Sequence, residues 1–361
     1  MYFQIEPKYN KEDLFLGDGT YNELLHLLQG NTKLIVLKGL RRTGKTSTLN
    51  VALTESKLPF VNIDVRVAPY TNRQTFLDFI AKEIIRRLEK NIITKIINRL
   101  ETINVGVNAK YISTSLNFKL NKESDFITIL EEINQNKFII AFDEAQYLSG
   151  IGFDKIIASI YDRYKNIKIV LTGSEIGLLE KFLGHNNKKA PLYGRLYEEL
   201  KTSRFVPKIS EIFLTEGFKQ TKTKISELEI GDTIKQLDGI IGWLTYYGYS
   251  RTLSDKKYSH KEAIDKVFEL GVKITAQELS NFLVIRKGRE KYLTVIKSIA
   301  NGDNTWSKIK GNLIKTFNIV SDTQLNLYLK ELMRHNFIDK ENGNYVIPDP
   351  LLQHALLQNQ I

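Results

Sequence analysis

Leu34-Ile35-Val36-Leu37-Lys38-Gly39-Leu40-Arg41-Arg42-Thr43-Gly44-Lys45-Thr46 is the stretch that decides the fold. An apolar run leads into Gly39, four residues separate it from Gly44-Lys45-Thr46, and a helical pattern follows. The glycines let the backbone turn tightly, so successive N–H groups face one point, and the helix that follows turns its positive end to the same point. Such a loop is a phosphate cradle. Lys45 is placed to reach β- and γ-phosphates, and the Thr46 hydroxyl to ligate Mg²⁺. Gly39, Arg41, Arg42, Thr43, Gly44, Lys45, Thr46 and Ser47 are therefore the candidate nucleotide-binding residues. The plain alternative is a chance glycine-rich turn, and the strand before and helix after argue against it.

Outward from this loop, three more apolar runs have strand character: Pro59–Asp64, Phe138–Phe142 and Ile167–Gly173. Near-continuous apolar strands separated by helical patterns predict an α/β fold with a parallel sheet covered on both faces. The run Phe138-Ile139-Ile140-Ala141-Phe142 ends in Asp143-Glu144. Asp143, at the carboxyl end of its strand, is placed to hold Mg²⁺ through its water shell, and Glu144 to polarise an attacking water as a base. The run Ile167–Leu171 ends in Thr172-Gly173-Ser174. Thr172 or Ser174 is a candidate sensor of the γ-phosphate, while Ser174 also reads as a helix N-cap. Arg195, in Pro191-Leu192-Tyr193-Gly194-Arg195, is a candidate transition-state cation, acting in cis or from a neighbouring subunit, or simply a turn arginine. Between the second and third strands, Arg73 to Leu100 reads as one long helix, and Ile103, Val105 and Val107 as a short hairpin insertion.

From about Phe205 helical patterns dominate, at roughly 207–220, 226–249, 260–270 and 274–300. The last sixty residues read as helices at Lys291–Ala300, Trp306–Phe317 and Asp322–Asn336, then two short strands around Glu341-Asn342-Gly343-Asn344, a hairpin signal. Three helices and a hairpin is the order of a winged helix-turn-helix. The division expected is 1–205 as a phosphate-loop core, 206–285 as a helical lid and 286–361 as a winged-helix domain.

Composition narrows the chemistry. The chain has 361 residues, no cysteine and five histidines, which excludes disulfides and thiolate chemistry and argues against a zinc enzyme. No run is apolar enough for a membrane span or a signal peptide, so a cytoplasmic location is expected. Net charge is +11, and the excess is uneven: residues 251–300 hold 11 basic and 6 acidic residues, whereas 301–361 hold 6 of each. The run Arg286, Lys287, Arg289, Lys291, Lys297 reads either as a stripe for nucleic-acid phosphates or as the solvated face of a helix.

The motifs GLRRTGKT (39–46), FIIAFDEAQYL (138–148), IVLTGSEIGLL (169–179), PLYGR (191–195) and NYVIPDPLL (344–352) together resemble the archaeal ATPases of the AAA+ class, relatives of the STAND signalling NTPases and of archaeal origin-recognition initiators. The resemblance implies an ATPase core using ATP/ADP and Mg²⁺, a helical lid, a C-terminal winged helix, and a finger role for Arg195. It also implies that Gly239-Ile240-Ile241-Gly242-Trp243 stands where the family's lid carries a second sensor, with Ile241 in place of a proline. Two functions are open at this stage. One is a hydrolysing ATPase whose winged helix engages DNA through Asp322–Asn336, with Gln324 presented to an adenine edge. The other is a slow nucleotide-dependent switch with a protein partner or a second copy as its target.

Overall fold

In the computed structural model, all residues are described except Asp18, Tyr70, 104–122, Asn186, Asn359 and Ile361. The first helix, α1 (Thr20–Gln29), precedes β1 (Leu34–Gly39), and α2 (Lys45–Glu55) starts at the phosphate-loop lysine. Then come β2 (Phe60–Asp64), α3 (Arg73–Ile85), α4 (Lys90–Ile103), α5 (Glu123–Ile133), β3 (Phe138–Asp143), α6 (Asp154–Arg163), β4 (Ile167–Gly173), α7 (Ile176–Phe182) and β5 (Glu198–Thr202). The five strands are all parallel, in the order β2-β3-β4-β1-β5. The topological switch beside β1 places the phosphate loop at the carboxyl ends of the strands, where open α/β sheets bind ligands.

Strand side chains alternate between two cores. Leu34, Val36, Phe138, Ile140 and Phe142 join the cluster under α3, α5 and α6. Ile35, Leu37, Ile139 and Ala141 join the one under α1 and α2. Both faces are thus filled, which is why β3 and β4 are buried along their whole length and read as unbroken apolar runs.

The long helix expected from Arg73 to Leu100 is two helices. The chain tightens at Arg87 and Leu88, whose amides bond carbonyls three residues back, and α4 then turns away to pack on α5. Of the hairpin expected at 103–107, Ile103 ends α4 and the remainder lies outside the described residues.

The second half is helical: α8 (Pro207–Gln220), α9 (Glu227–Leu237), α10 (Ile241–Thr252), α11 (His260–Val284), α12 (Arg289–Ala300), α13 (Trp306–Phe317) and α14 (Asp322–Arg334), then β6 (Asp339–Glu341), β7 (Asn344–Val346) and α15 (Pro350–Leu357). The expected helix at 226–249 breaks at Asp238-Gly239, both left-handed, where the Gly239 carbonyl accepts from the Phe205 amide at 2.8 Å. The expected helices at 260–270 and 274–300 regroup as α11, unbroken to Val284, and α12, because Gly288 at φ +81 sets the real break. α12–α14 with the β6–β7 hairpin form the winged helix around their own core. α15 joins it to the α8–α11 region, with Leu351 in the core of that region and Leu352 and Leu356 in the winged-helix core.

The N-terminus belongs to the helical region formed by α8–α11. Phe3 is fully buried against the rings of Phe213 and Phe218, at 5.7 and 5.0 Å. It fits only because Gly217 and Gly248 carry no side chain: a Cβ at either would stand 2.3 Å from the ring. No described helix is long and apolar enough to cross a membrane. Phe3→Ala should lower the unfolding free energy by about 3–5 kcal/mol, the usual cost of deleting a buried phenyl, measurable by urea denaturation.

Candidate functional site

Four carboxyl-end loops and the helical region α8–α11 line a cavity of about 530 Å³. Arg41–Thr48, Arg66, Glu144 and Ser174 line its polar end, and Tyr2, Phe15, Phe205, Phe213, Trp243 and Tyr246 its aromatic end. The phosphate loop is built as the sequence demands. Gly44 has φ +85, and α2 begins immediately after it, so the free amides of the first turn of α2 open on the cavity.

The Lys45 ammonium folds back onto the Leu40 carbonyl at 2.6 Å. Burial pushes it down to about 8, against the pull of Glu144 and Asp143, and the nearby Arg41 and Arg66 charges push the same way as burial. Thr46 Oγ1 donates to Asp143 Oδ2 at 2.8 Å, and the Thr172 hydroxyl donates to Asp143 Oδ1. The Thr46 hydroxyl and the Asp143 carboxylate thus converge beside the loop. Among the described residues no group of three or more His, Cys, Asp or Glu could hold a metal alone. A hydroxyl and one carboxylate, completed by water and phosphate oxygens, suit Mg²⁺.

Glu144 follows directly and is left-handed at φ +56, a sparsely populated conformation for a non-glycine residue that turns its side chain back over the strand ends. Its Oε2 accepts three bonds: from Gln146 Nε2 at 2.6 Å, Ser174 Oγ at 2.8 Å and the Ser174 amide at 3.1 Å. Burial works to raise its carboxyl, yet the Lys45 charge and these donors hold it below the usual glutamate range. The group is therefore a carboxylate at neutral pH. With Oε2 saturated, Oε1 is the oxygen left to receive a proton.

Of the sequence candidates, the phosphate loop, Asp143, Glu144, Thr172 and Ser174 come together here. Thr172 and Ser174 do so by bonding the two carboxylates. Arg195 does not join them. Its guanidinium pairs with Asp162 of α6 at 2.6 Å and caps the Pro191 carbonyl, beside a separate depression under Leu183 and Tyr197.

Residues missed by sequence reasoning fall into two groups. Arg66 stands two residues past β2, bonded to Asp64 at 3.1 and 2.7 Å and 4.0 Å from Glu144 Oε1. The pattern Asp64-x-Arg66 after a strand was its only signal. The N-terminal segment had no signal at all: the Lys8 amide donates to Ser47 Oγ at 3.1 Å, and burial pushes the Lys8 ammonium down to about 8.

The loop arginines, at the edge of the cavity, also hold the rest of the chain. Arg42 bonds Glu278 of α11 at 2.7 Å and Asp349, the N-cap of α15, at 3.5 Å, and lies 4.5 Å above the Trp243 ring. Its carbonyl accepts the Gly242 amide at 2.9 Å, so the Gly239–Trp243 element does meet the loop, through backbone and ring. Arg41 bonds Glu175 at 2.6 Å, and Glu175 also faces His335 at the end of α14 at 3.3 Å. Asn336 bonds the Ser174 carbonyl.

The expected basic stripe is not one surface. Arg286 is folded inward, 3.5 Å above the Phe282 ring and bonded to His335 at 2.8 Å, because it closes the α11–α12 turn. Gln324 spends its carbonyl on the Ser321 amide in a capping box at the start of α14.

Residues 92–197 match the model of an AAA domain, and 286–347 that of the C-terminal winged helix-turn-helix domain of MCM proteins. The Walker-type ATPase of Pyrococcus abyssi is 30% identical, with 99% of this chain and 100% of that one covered and a TM-score of 0.79. A STAND protein with a tetratricopeptide-repeat sensor from Pyrococcus horikoshii is 12% identical, covering 93% of this chain and 41% of that one, TM-score 0.41. The Orc1 protein of Aeropyrum pernix, solved in complex with DNA, is 12% identical over 99% and 96% of the two chains, TM-score 0.46. Scores this low add nothing to the fold. No curated protein matches the sequence.

Replacing Arg42 by Ala leaves half-buried Asp349 without its cation and Glu278 with only Arg41, 3.9 Å away. It should cost about 1–3 kcal/mol of stability, read by denaturation, and raise hydrogen exchange in α15.

Proposed function

Because the chain belongs to the family of the Walker-type AAA ATPases with a C-terminal winged helix, we propose that it binds ATP with Mg²⁺ in this cavity and hydrolyses it. The observation that carries the reading is the pairing of a saturated Glu144 Oε2 with a free Oε1 beside Lys45, Thr46 and Asp143. The loop amides and Lys45 hold the β- and γ-phosphates, and the aromatic end takes the base. Thr46 and Asp143 would hold Mg²⁺, which when bound would supply positive charge to the phosphate group. Gln146 and Ser174 fix Glu144, and its Oε1 takes a proton from water as the water oxygen bonds the γ-phosphorus. The bond to the bridging oxygen breaks, and its electron pair leaves with ADP. The functional division at 205/206 and 285/286 belongs to the same reading.

A slow switch is the second reading, favoured by one observation: the loop arginines Arg41 and Arg42 bond the lid, α15 and the Glu175–His335 pair beside α14. A phosphate-filled loop and an empty one would then hold the winged helix differently. The charge distribution speaks for a docked module over a reader of duplex DNA. Arg286 is spent internally, and Arg334 near the end of α14 lies against α7, where a Cβ on Gly177 would stand 2.7 Å from the Arg334 Cα.

Lys45→Ala should weaken ATP binding at least tenfold under either reading, by calorimetry. Glu144→Gln should keep ATP bound while turnover falls at least a hundredfold; wild-type protein that shows no Mg²⁺-dependent phosphate release leaves only the switch.

A further inference from the structure

The transition state of phosphoryl transfer spreads negative charge over the γ-oxygens, and an arginine aimed at that charge is worth orders of magnitude in rate. Arg195 is occupied elsewhere in this chain, paired with Asp162 and the Pro191 carbonyl. Another arginine faces the reacting centre. β2 and β3 pair so that Asp64 is in register with Asp143, and the Val65 amide bonds the Asp143 carbonyl at 3.0 Å. The chain leaving β2 must therefore pass beside Glu144, and the residue that does so is Arg66.

The Arg66 guanidinium is held in place from its own strand. Nε and Nη2 each bond a different oxygen of Asp64, at 3.1 and 2.7 Å, and the Arg66 amide bonds Asp64 Oδ1 at 3.0 Å. Planar two-point pairing of this kind fixes direction as well as distance. Nη1 is not used by Asp64 and stands 4.0 Å from Glu144 Oε1, the oxygen left free for water. Arg66 and Lys45 line the same cavity. Like charges converging on one space are relieved by an anion between them.

We propose that Arg66 is a catalytic residue that supplies, in cis, the cation for the γ-phosphoryl group during hydrolysis. Asp64 is its positioning residue, and Arg195 is dispensable for this step. The proposal rests on the hydrolysis reading, and its test separates the two. Turnover and affinities for ATPγS and ADP are measured on wild type, Arg66→Ala, Arg66→Lys and Arg195→Ala, with folding checked by circular dichroism.

Arg66→Ala should lower kcat at least a hundredfold with ADP affinity changed less than about threefold. It should also lose about tenfold in the preference for ATPγS over ADP. Arg66→Lys should recover part of the preference but little of kcat, since an ammonium lacks the two-point hold on Asp64. Wild-type kcat should not rise with protein concentration, and Arg195→Ala should keep it within about threefold. Arg66→Ala with kcat near wild type, or a concentration-dependent rate abolished by Arg195→Ala alone, overturns the proposal. If wild type does not turn over at all, the hydrolysis reading fails, and the ATPγS-to-ADP ratio still decides whether Arg66 meets the γ-phosphate: an unchanged ratio in Arg66→Ala overturns it.

Discussion

The phosphate loop opens its amides on the cavity while its two arginines bond the helical region and residues beside the winged helix. Arg42 is left-handed at φ +64, and that turn is what sends its carbonyl to Gly242 and its side chain to Glu278, Asp349 and Trp243. Half-buried ion pairs contribute little net stability, but breaking one leaves an uncompensated charge. The pairs therefore fix how α10, α11 and α15 sit against this loop conformation more than they strengthen the fold. Any ligand that reshapes the loop must reckon with four elements outside the sheet: α10, α11, α15 and the end of α14.

A second constraint runs through the strand ends. β2, β3 and β4 deliver Asp64, Asp143 and Thr172 to one edge, where Thr172 ties to Asp143 and Ser174 ties to Glu144. The left-handed turn at Glu144 is the strained point, held by three donors on a single oxygen. Ser174 then passes the connection on, since its carbonyl accepts from Asn336 just past the end of α14. The candidate base and the winged helix thus share a residue.

The sheet was legible because parallel strands buried on both faces write themselves as apolar runs, and all four expected strands are present in a single sheet. Helix extents were less so. The expected helix 73–100 and the expected helix 226–249 each keep their apolar spacing through a break, because the break is set by where the next helix must pack. The basic run at 286–297 shows the same limit from another side. Its charge was countable, but whether Arg286 faced water or the Phe282 ring depended on how α11 turns into α12.

The sequence by itself determined the phosphate loop, the paired acids after β3, the polar tip of β4 and the winged-helix order. In each of these, local chemistry and chain spacing are enough, since glycine, lysine and carboxylate positions are set within one strand–turn–helix unit. Only the tertiary structure decided which arginine stands beside Glu144. Arg66 and Arg195 are alike as residues, and what separates them is register. The pairing of β2 with β3 brings Arg66 to Glu144, while Asp162 on α6 keeps Arg195 away. Long-range geometry, set by packing and pairing across distant segments, leaves no mark on the local pattern of residues.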